Sequence, residues 1–220
     1  MTKDIVIFGA GDTAEQAEYY FRMDSEYRVV AFTVHQNYLA ESTFCNLPLI
    51  PFEEIVKTYP PSGYDMFIAS SGRSMNRPRA EVVRAAKHLG YQLVSYISTK
   101  ATVCTSDIGE NCFILENVSI QPFVRMGDNV FIWSGSHIGH HSVIGSHVFF
   151  SGQTATSGRS EVGDYCFLAG KSGVDANVCL AEGTLLTLGS IATKNTEPWG
   201  VYSGIPARKR KMLSSDFKIL

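Results

Sequence analysis

The stretch Ile108-Gly109-Glu110-Asn111-Cys112-Phe113-Ile114-Leu115-Glu116-Asn117-Val118-Ser119-Ile120 sets a beat that the chain keeps for some eighty residues. Stepping by six from Ile108 gives Ile114, Ile120, Met126, Ile132, Ile138, Ile144, Phe150, Thr156, Val162, Leu168, Val174, Leu180 and Leu186. All but Thr156 are large and apolar. Four residues after each stands a small or β-branched residue, from Cys112, Val118 and Val124 through to Val178, Thr184 and Ser190. A helix repeats every 3.6 residues and a strand every 2, so neither produces a period of six. A period held this long is a repeat architecture, and the unbroken register leaves no room for long inserted loops.

Hexapeptides of this kind predict a left-handed parallel β-helix. Three of them make one triangular coil, so equivalent positions on successive coils lie 18 residues apart. The large residue fills the interior and the small one is expected at the tight corner. Stacked coils satisfy one another's backbone groups.

Outside the repeat the period changes. Lys3–Phe8 reads as a buried strand, followed by Gly9-Ala10-Gly11-Asp12 and a helix over 13–23 with Ala14, Ala17 and Phe21 on one face. Further strands are expected over 28–34, 64–70 and 91–97, with a helix over 77–89 closed by Gly90. Alternating strands and helices predict a small Rossmann-like α/β domain over 1–97, leaving 98–220 to the β-helix.

A formal net charge of −2 argues against broad attraction to nucleic acid, and the Arg208-Lys209-Arg210-Lys211 run reads as a solvated tail. No apolar stretch approaches the ~20 residues of a membrane helix. The opening residues show no secretion-signal pattern. Five cysteines without a CxxC pair fit free thiols. A cytoplasmic protein without membrane insertion is expected.

Four of the six histidines, His137, His140, His141 and His147, crowd into the repeat. A histidine suits general-base work because its pKa lies near operating pH. Spacing alone fits a surface histidine at His140 equally well. One coil on stands Gly158, where a missing side chain admits a close approach to the main chain or simply serves a turn. Gly9-Ala10-Gly11-Asp12, opening a helix after a strand, suits a phosphate, but it lacks the third glycine of the dinucleotide fingerprint.

Beyond the repeat, the chain resembles bacterial sugar acyltransferases of the sialic acid O-acetyltransferase and nucleotide-amino-sugar N-acetyltransferase type. The resemblance runs over nearly the whole chain. It includes Ile7-Phe8-Gly9-Ala10-Gly11, Ile138-Gly139-His140-His141-Ser142-Val143-Ile144-Gly145, and Gly200-Val201-Tyr202-Ser203-Gly204-Ile205-Pro206-Ala207-Arg208. It implies acetyl-CoA as co-substrate, a nucleotide-linked sugar as acceptor, and a homotrimer with coenzyme A in grooves between neighbouring β-helices. It makes His140 the general base and the Gly158 amide the oxyanion donor. His141 stands where relatives often carry an acidic assistant. Phe149, Gly170 and Leu188 would line the coenzyme A groove, with Phe149 replacing a frequent histidine. The Gly204–Arg208 segment would cap the last coil. Gly9, Gly11 and Asp12, with Gly72 and Arg77 on a second loop, would hold the nucleotide. Thr33-Val34-His35 replaces acids that relatives often carry for base and ribose.

The expected activity is N-acetylation of a nucleotide-linked amino sugar; O-acetylation of a sugar hydroxyl would use the same groups. The fold also hosts zinc carbonic anhydrases, but no histidine follows His147, so no metal site is expected. A non-catalytic scaffold is the remaining class.

Overall fold

The computed structural model describes residues 3–216. Met1, Thr2 and the last four residues, which the domain limits drawn from the sequence include, lie outside the described residues. The chain divides into two compact units: Met1–Ser71 with Arg79–Tyr96, and Gly72–Pro78 with Ile97–Leu220.

In the first unit, β1 (Lys3–Phe8) pairs in parallel with β2 (Tyr27–Val34) and β5 (Asp65–Ile68), and β2 with β4 (Leu47–Pro51). A two-residue β3 (Thr43–Phe44) turns back on β4, giving the order β3-β4-β2-β1-β5. Helix α1 (Asp12–Asp24) buries Ala14, Ala17 and Phe21, the face that its spacing predicts. A short α2 (Ile55–Thr58) follows β4, and α3 (Arg77–His88) ends in backbone bonds from Gly90 to Lys87 and from Tyr91 to Ala86. The strand expected over 91–97 does not form as one piece. Leu93 bridges Met66 in parallel, with Met66 N–H donating to Gln92 O and Val94 N–H to Met66 O, and Tyr96–Ile97 form a separate two-residue strand, so Ser95 interrupts the run.

The second unit carries the repeat. Two-residue strands stack in parallel on three faces, Phe131 pairing with Phe113 and Phe149, His137 with Ser119 and Ala155, and Val143 with Arg125 and Glu161. Every one of these pairs is offset by 18 residues, and the stack fits a left-handed β-helix. The first face holds Phe113–Ile114 and its equivalents, the second Ser119–Ile120, the third Arg125–Met126. Ile114, Ile120, Met126, Ile132 and their successors form one continuous core.

The small residue belongs to that core as well, which corrects the expectation that it sits at the corner. The corner is the residue just before it. Asn111, Asn117, Phe123, Asn129, His141, His147, Gln153, Arg159, Tyr165, Lys171 and Asn177 all have φ between 54° and 66°, and Gly135, Gly183 and Gly189 complete the series. Asparagine and glycine take left-handed backbone at little cost, whereas other residues are strained there. The residue after the corner turns inward and must be small. At several of these positions the hydroxyl or thiol hydrogen finds a carbonyl: Ser136 on Ser151, Ser142 on Ser157, Ser160 on Asp175 and Cys166 on Ala181, whereas the buried Ser172 Oγ has no partner among the described residues.

The stack ends with Gly200–Ser203 paired to Leu185–Leu186, and Arg208–Leu213 returns antiparallel along that last strand. Among the described residues no helix is long and apolar enough to cross a membrane.

Gly135 isolates the corner's backbone requirement. It has φ 74°, and an added Cβ would meet nothing closer than Gln153 Cγ at 3.4 Å. Gly135→Val is therefore expected to lower unfolding stability by about 1–3 kcal/mol through backbone strain alone. Gly135→Asn should cost less than half as much, read as urea midpoints at constant m-value.

Candidate active site

The parallel ladder decides which amides are free. At each corner, the left-handed residue's N–H donates to the carbonyl preceding the corner one coil below: His141 to Pro122, Arg159 to His140, Asn177 to Gly158. The amide just before the corner residue points out of the ladder and must find another acceptor. Glu110 N–H finds Asp128, Asp128 N–H finds Ser146 Oγ, Ser146 N–H finds Asp164, and His140 N–H finds Gln121 Oε1 at 2.9 Å. Gly158 N–H occupies the same position one coil above His140, and among the described residues it has no acceptor.

His140 and Gly158 therefore stack at the corner between the second and third faces. Contact is close: a Cβ built on Gly158 would stand 2.6 Å from both Cε1 and Nε2 of His140. The imidazole lies over the glycine's main chain, and only glycine leaves room for it. Both histidines are exposed.

His141 is the corner residue itself, at φ 59°. This backbone swings its ring back to His140, so that the two Nδ1 atoms lie 3.0 Å apart with the rings perpendicular. On its other side is Phe123, the corner residue one coil below, with ring centroids 4.6 Å apart. Desolvation, then the positive charges of Arg159 and His140, holds the His141 imidazole below its ordinary pKa. Arg125, Arg159, Glu161, Asn177 and Asn195 continue from His141 as a polar groove of about 570 Å³ along the third face.

The other expected residues fall in several places. Gly170 and Leu188 stack at the opposite edge of the second face, a Gly170 Cβ lying 3.3 Å from Leu188 Cδ1, and Leu188 is 75% exposed. Phe149 does not accompany them, which corrects its place on that groove. It belongs to the first face, is 8% exposed, and stacks on Phe167 at 4.9 Å with parallel rings. A Gly72 Cβ would press on both phenyl rings, at 2.7 Å from Phe167 and 3.3 Å from Phe149, so Gly72 is a packing glycine. Arg77 stands over Trp199 at 4.3 Å, and Trp199 in turn fills the space beside Gly183.

In the first unit, Gly9 has φ 132°, and a Cβ there would meet Ala69 O at 2.8 Å, so this turn admits only glycine. Gly11 precedes α1 with nothing within 4 Å of a built Cβ, and Asp12 opens the helix. At the end of β2, His35 Nδ1 lies 2.9 Å from Glu53 Oε1, and Gln36 N–H donates to Glu53 Oε2. Burial alone would raise the Glu53 carboxyl, but these hydrogen bonds bring it below its usual value. A carboxylate thus lies beside the end of β2, contributed by the turn after β4. Gln121, Phe123 and Glu53 escaped the sequence reading; for Gln121 and Phe123 the 18-residue offset from neighbours of His140 and His141 was the available signal.

The bacterial transferase hexapeptide profile, of six repeats, matches residues 105–140 and 123–158. No curated protein matches the chain by sequence. Among solved structures, PerB from Caulobacter crescentus, in complex with CoA and GDP-perosamine, is similar at TM-score 0.83 and 22% identity, covering 96% of this chain and 98% of its own. The acetyltransferase domain of PglB from Neisseria gonorrhoeae, in complex with acetyl coenzyme A, is similar at 0.83 and 17%, covering 96% and 100%. WeeI from Acinetobacter baumannii follows at 0.80 and 18%, covering 94% and 100%. The chain thus carries transferase hexapeptide repeats within a fold that it shares, end to end, with these bacterial proteins.

Proposed function

We propose that this protein is an acetyl-CoA-dependent N-acetyltransferase acting on a nucleotide-linked amino sugar. The observation that carries the reading is the stacking of an exposed histidine on a glycine whose own amide is left out of the ladder. Acyl transfer from a thioester needs a proton acceptor beside the attacking nitrogen and a donor for the carbonyl oxygen as it gains charge. His140 supplies the first through Nε2, and Gly158 N–H supplies the second. The bond forms between sugar nitrogen and acyl carbon, the proton passes to His140, and the departing thiolate recovers a proton.

The neighbours support the choice of substrates. PerB is held with CoA and GDP-perosamine, a related structure is of a histidine mutant of perosamine N-acetyltransferase, and the PglB domain holds acetyl coenzyme A. An amine acceptor is therefore favoured over a sugar hydroxyl. In this reading acetyl-CoA lies along the second face, between the His140–Gly158 edge and the Gly170–Leu188 edge, closed by a neighbouring copy in a homotrimer. The first unit acts as a Rossmann-like domain, with Gly9, Gly11 and Asp12 at the nucleotide phosphates. Arg77 is the exposed member of the second loop, and Gly72 shapes that loop from beneath.

His140→Ala is expected to lower turnover by roughly 10²–10⁴-fold, measured by thiol release, while acetyl-CoA still raises the melting temperature. Full activity in that variant would remove His140 from its role. Gly158→Ala forces the imidazole aside without straining the backbone. Its kcat should fall on the order of 10²-fold with the melting temperature of the free protein nearly unchanged.

A further inference from the structure

A histidine base needs one particular tautomer. To accept a proton on Nε2, neutral His140 must carry its hydrogen on Nδ1. That hydrogen points at His141 Nδ1, 3.0 Å away. Two Nδ1 atoms at this distance share one hydrogen, so a donating His140 requires a His141 that is neutral, with its own hydrogen on Nε2. If His141 donated instead, His140 would hold its hydrogen on Nε2 and could not act as base.

The surroundings favour the productive arrangement. Arg159, at the next corner, disfavours a positive charge on His141, and Arg125 lines the same groove on the third face. Glu161 and Cys179 are further titratable groups lining the same groove, and His140 stands against the ring itself. Phe123 is 70% exposed and holds a left-handed backbone that phenylalanine rarely adopts, yet its ring lies 4.6 Å from His141. It shields one side of that imidazole from water.

We propose that His141, covered by Phe123, is a positioning residue: a neutral imidazole that accepts the Nδ1 hydrogen of His140 and so fixes the tautomer that the base presents. The inference rests on the reading of His140 as general base. An imidazole in place of a carboxylate orients the base without a fixed negative charge.

Nitrogen-15 NMR of the free protein at neutral pH tests this without any substrate. Glycine suits the corner at φ 59°, so His141→Gly keeps the coil while removing the acceptor. In the native chain His140 should be protonated on Nδ1 and bare on Nε2, and in His141→Gly the hydrogen should distribute over both nitrogens. In parallel, kcat of His141→Gly should fall roughly tenfold or more while KM for acetyl-CoA stays the same. His141→Asp should restore kcat and move the acid limb of the kcat/KM profile upward by about one pH unit. A native His140 protonated on Nε2, or a His141→Gly variant with unchanged kcat and pH profile, would overturn the proposal. Native tautomers as expected in a protein that transfers no acyl group would overturn the function and leave the tautomer lock standing.

Discussion

Everything in the second unit depends on one backbone constraint: a residue in the left-handed region at every sixth position. It turns the chain from one face to the next and lets each two-residue strand meet its counterpart 18 residues away. No single hexapeptide could hold this conformation alone, because two paired residues do not offset the ordering of six. Coils above and below supply the missing hydrogen bonds, and the buried stripe of Ile, Val, Leu and Phe supplies the apolar interior. The hydroxyls and thiols in that interior are tolerated because most reach a carbonyl at a corner.

The site follows from the same constraint. The proposed chemistry sits where the fold leaves one amide per corner outside the ladder and, at His140, exposes the side chain beside it. The proposed pair therefore requires no special loop, only a histidine and a glycine in the same column of the stack. His141 shows the economy of the arrangement, since the residue that bends the chain also orients the neighbouring ring. Function and fold meet at the corners.

Much of this was legible in the sequence. The six-residue period gives the β-helix, and the 18-residue offset sets Gly158 over His140. What escaped has physical reasons. The corner carries Asn or Gly in only half of its positions, and residues as unlike as Phe123, Tyr165 and Lys171 fill the rest, so its pattern is hidden by chemistry while its backbone is uniform. The column Phe113, Phe131, Phe149, Phe167 faces outward by register, yet these rings are buried. The segment 72–78 reads as part of the α/β half but packs with the coils, with Gly72 against Phe149 and Phe167. Contacts between residues so distant in sequence leave no periodic trace. The 91–97 run has the composition of one strand, yet it pairs in two short pieces, at Leu93 and at Tyr96–Ile97.

A stack of identical rungs has no intrinsic reason to stop, and an open last rung is a template for another chain. Here the final strand is Arg208–Leu213, with Arg208, Lys209, Arg210 and Lys211 in succession and every residue exposed. A second molecule approaching with this same end would bring four like charges against its own four. The basic run that reads as a solvated tail in the sequence is thus a charged edge strand, a feature that opposes edge-to-edge pairing.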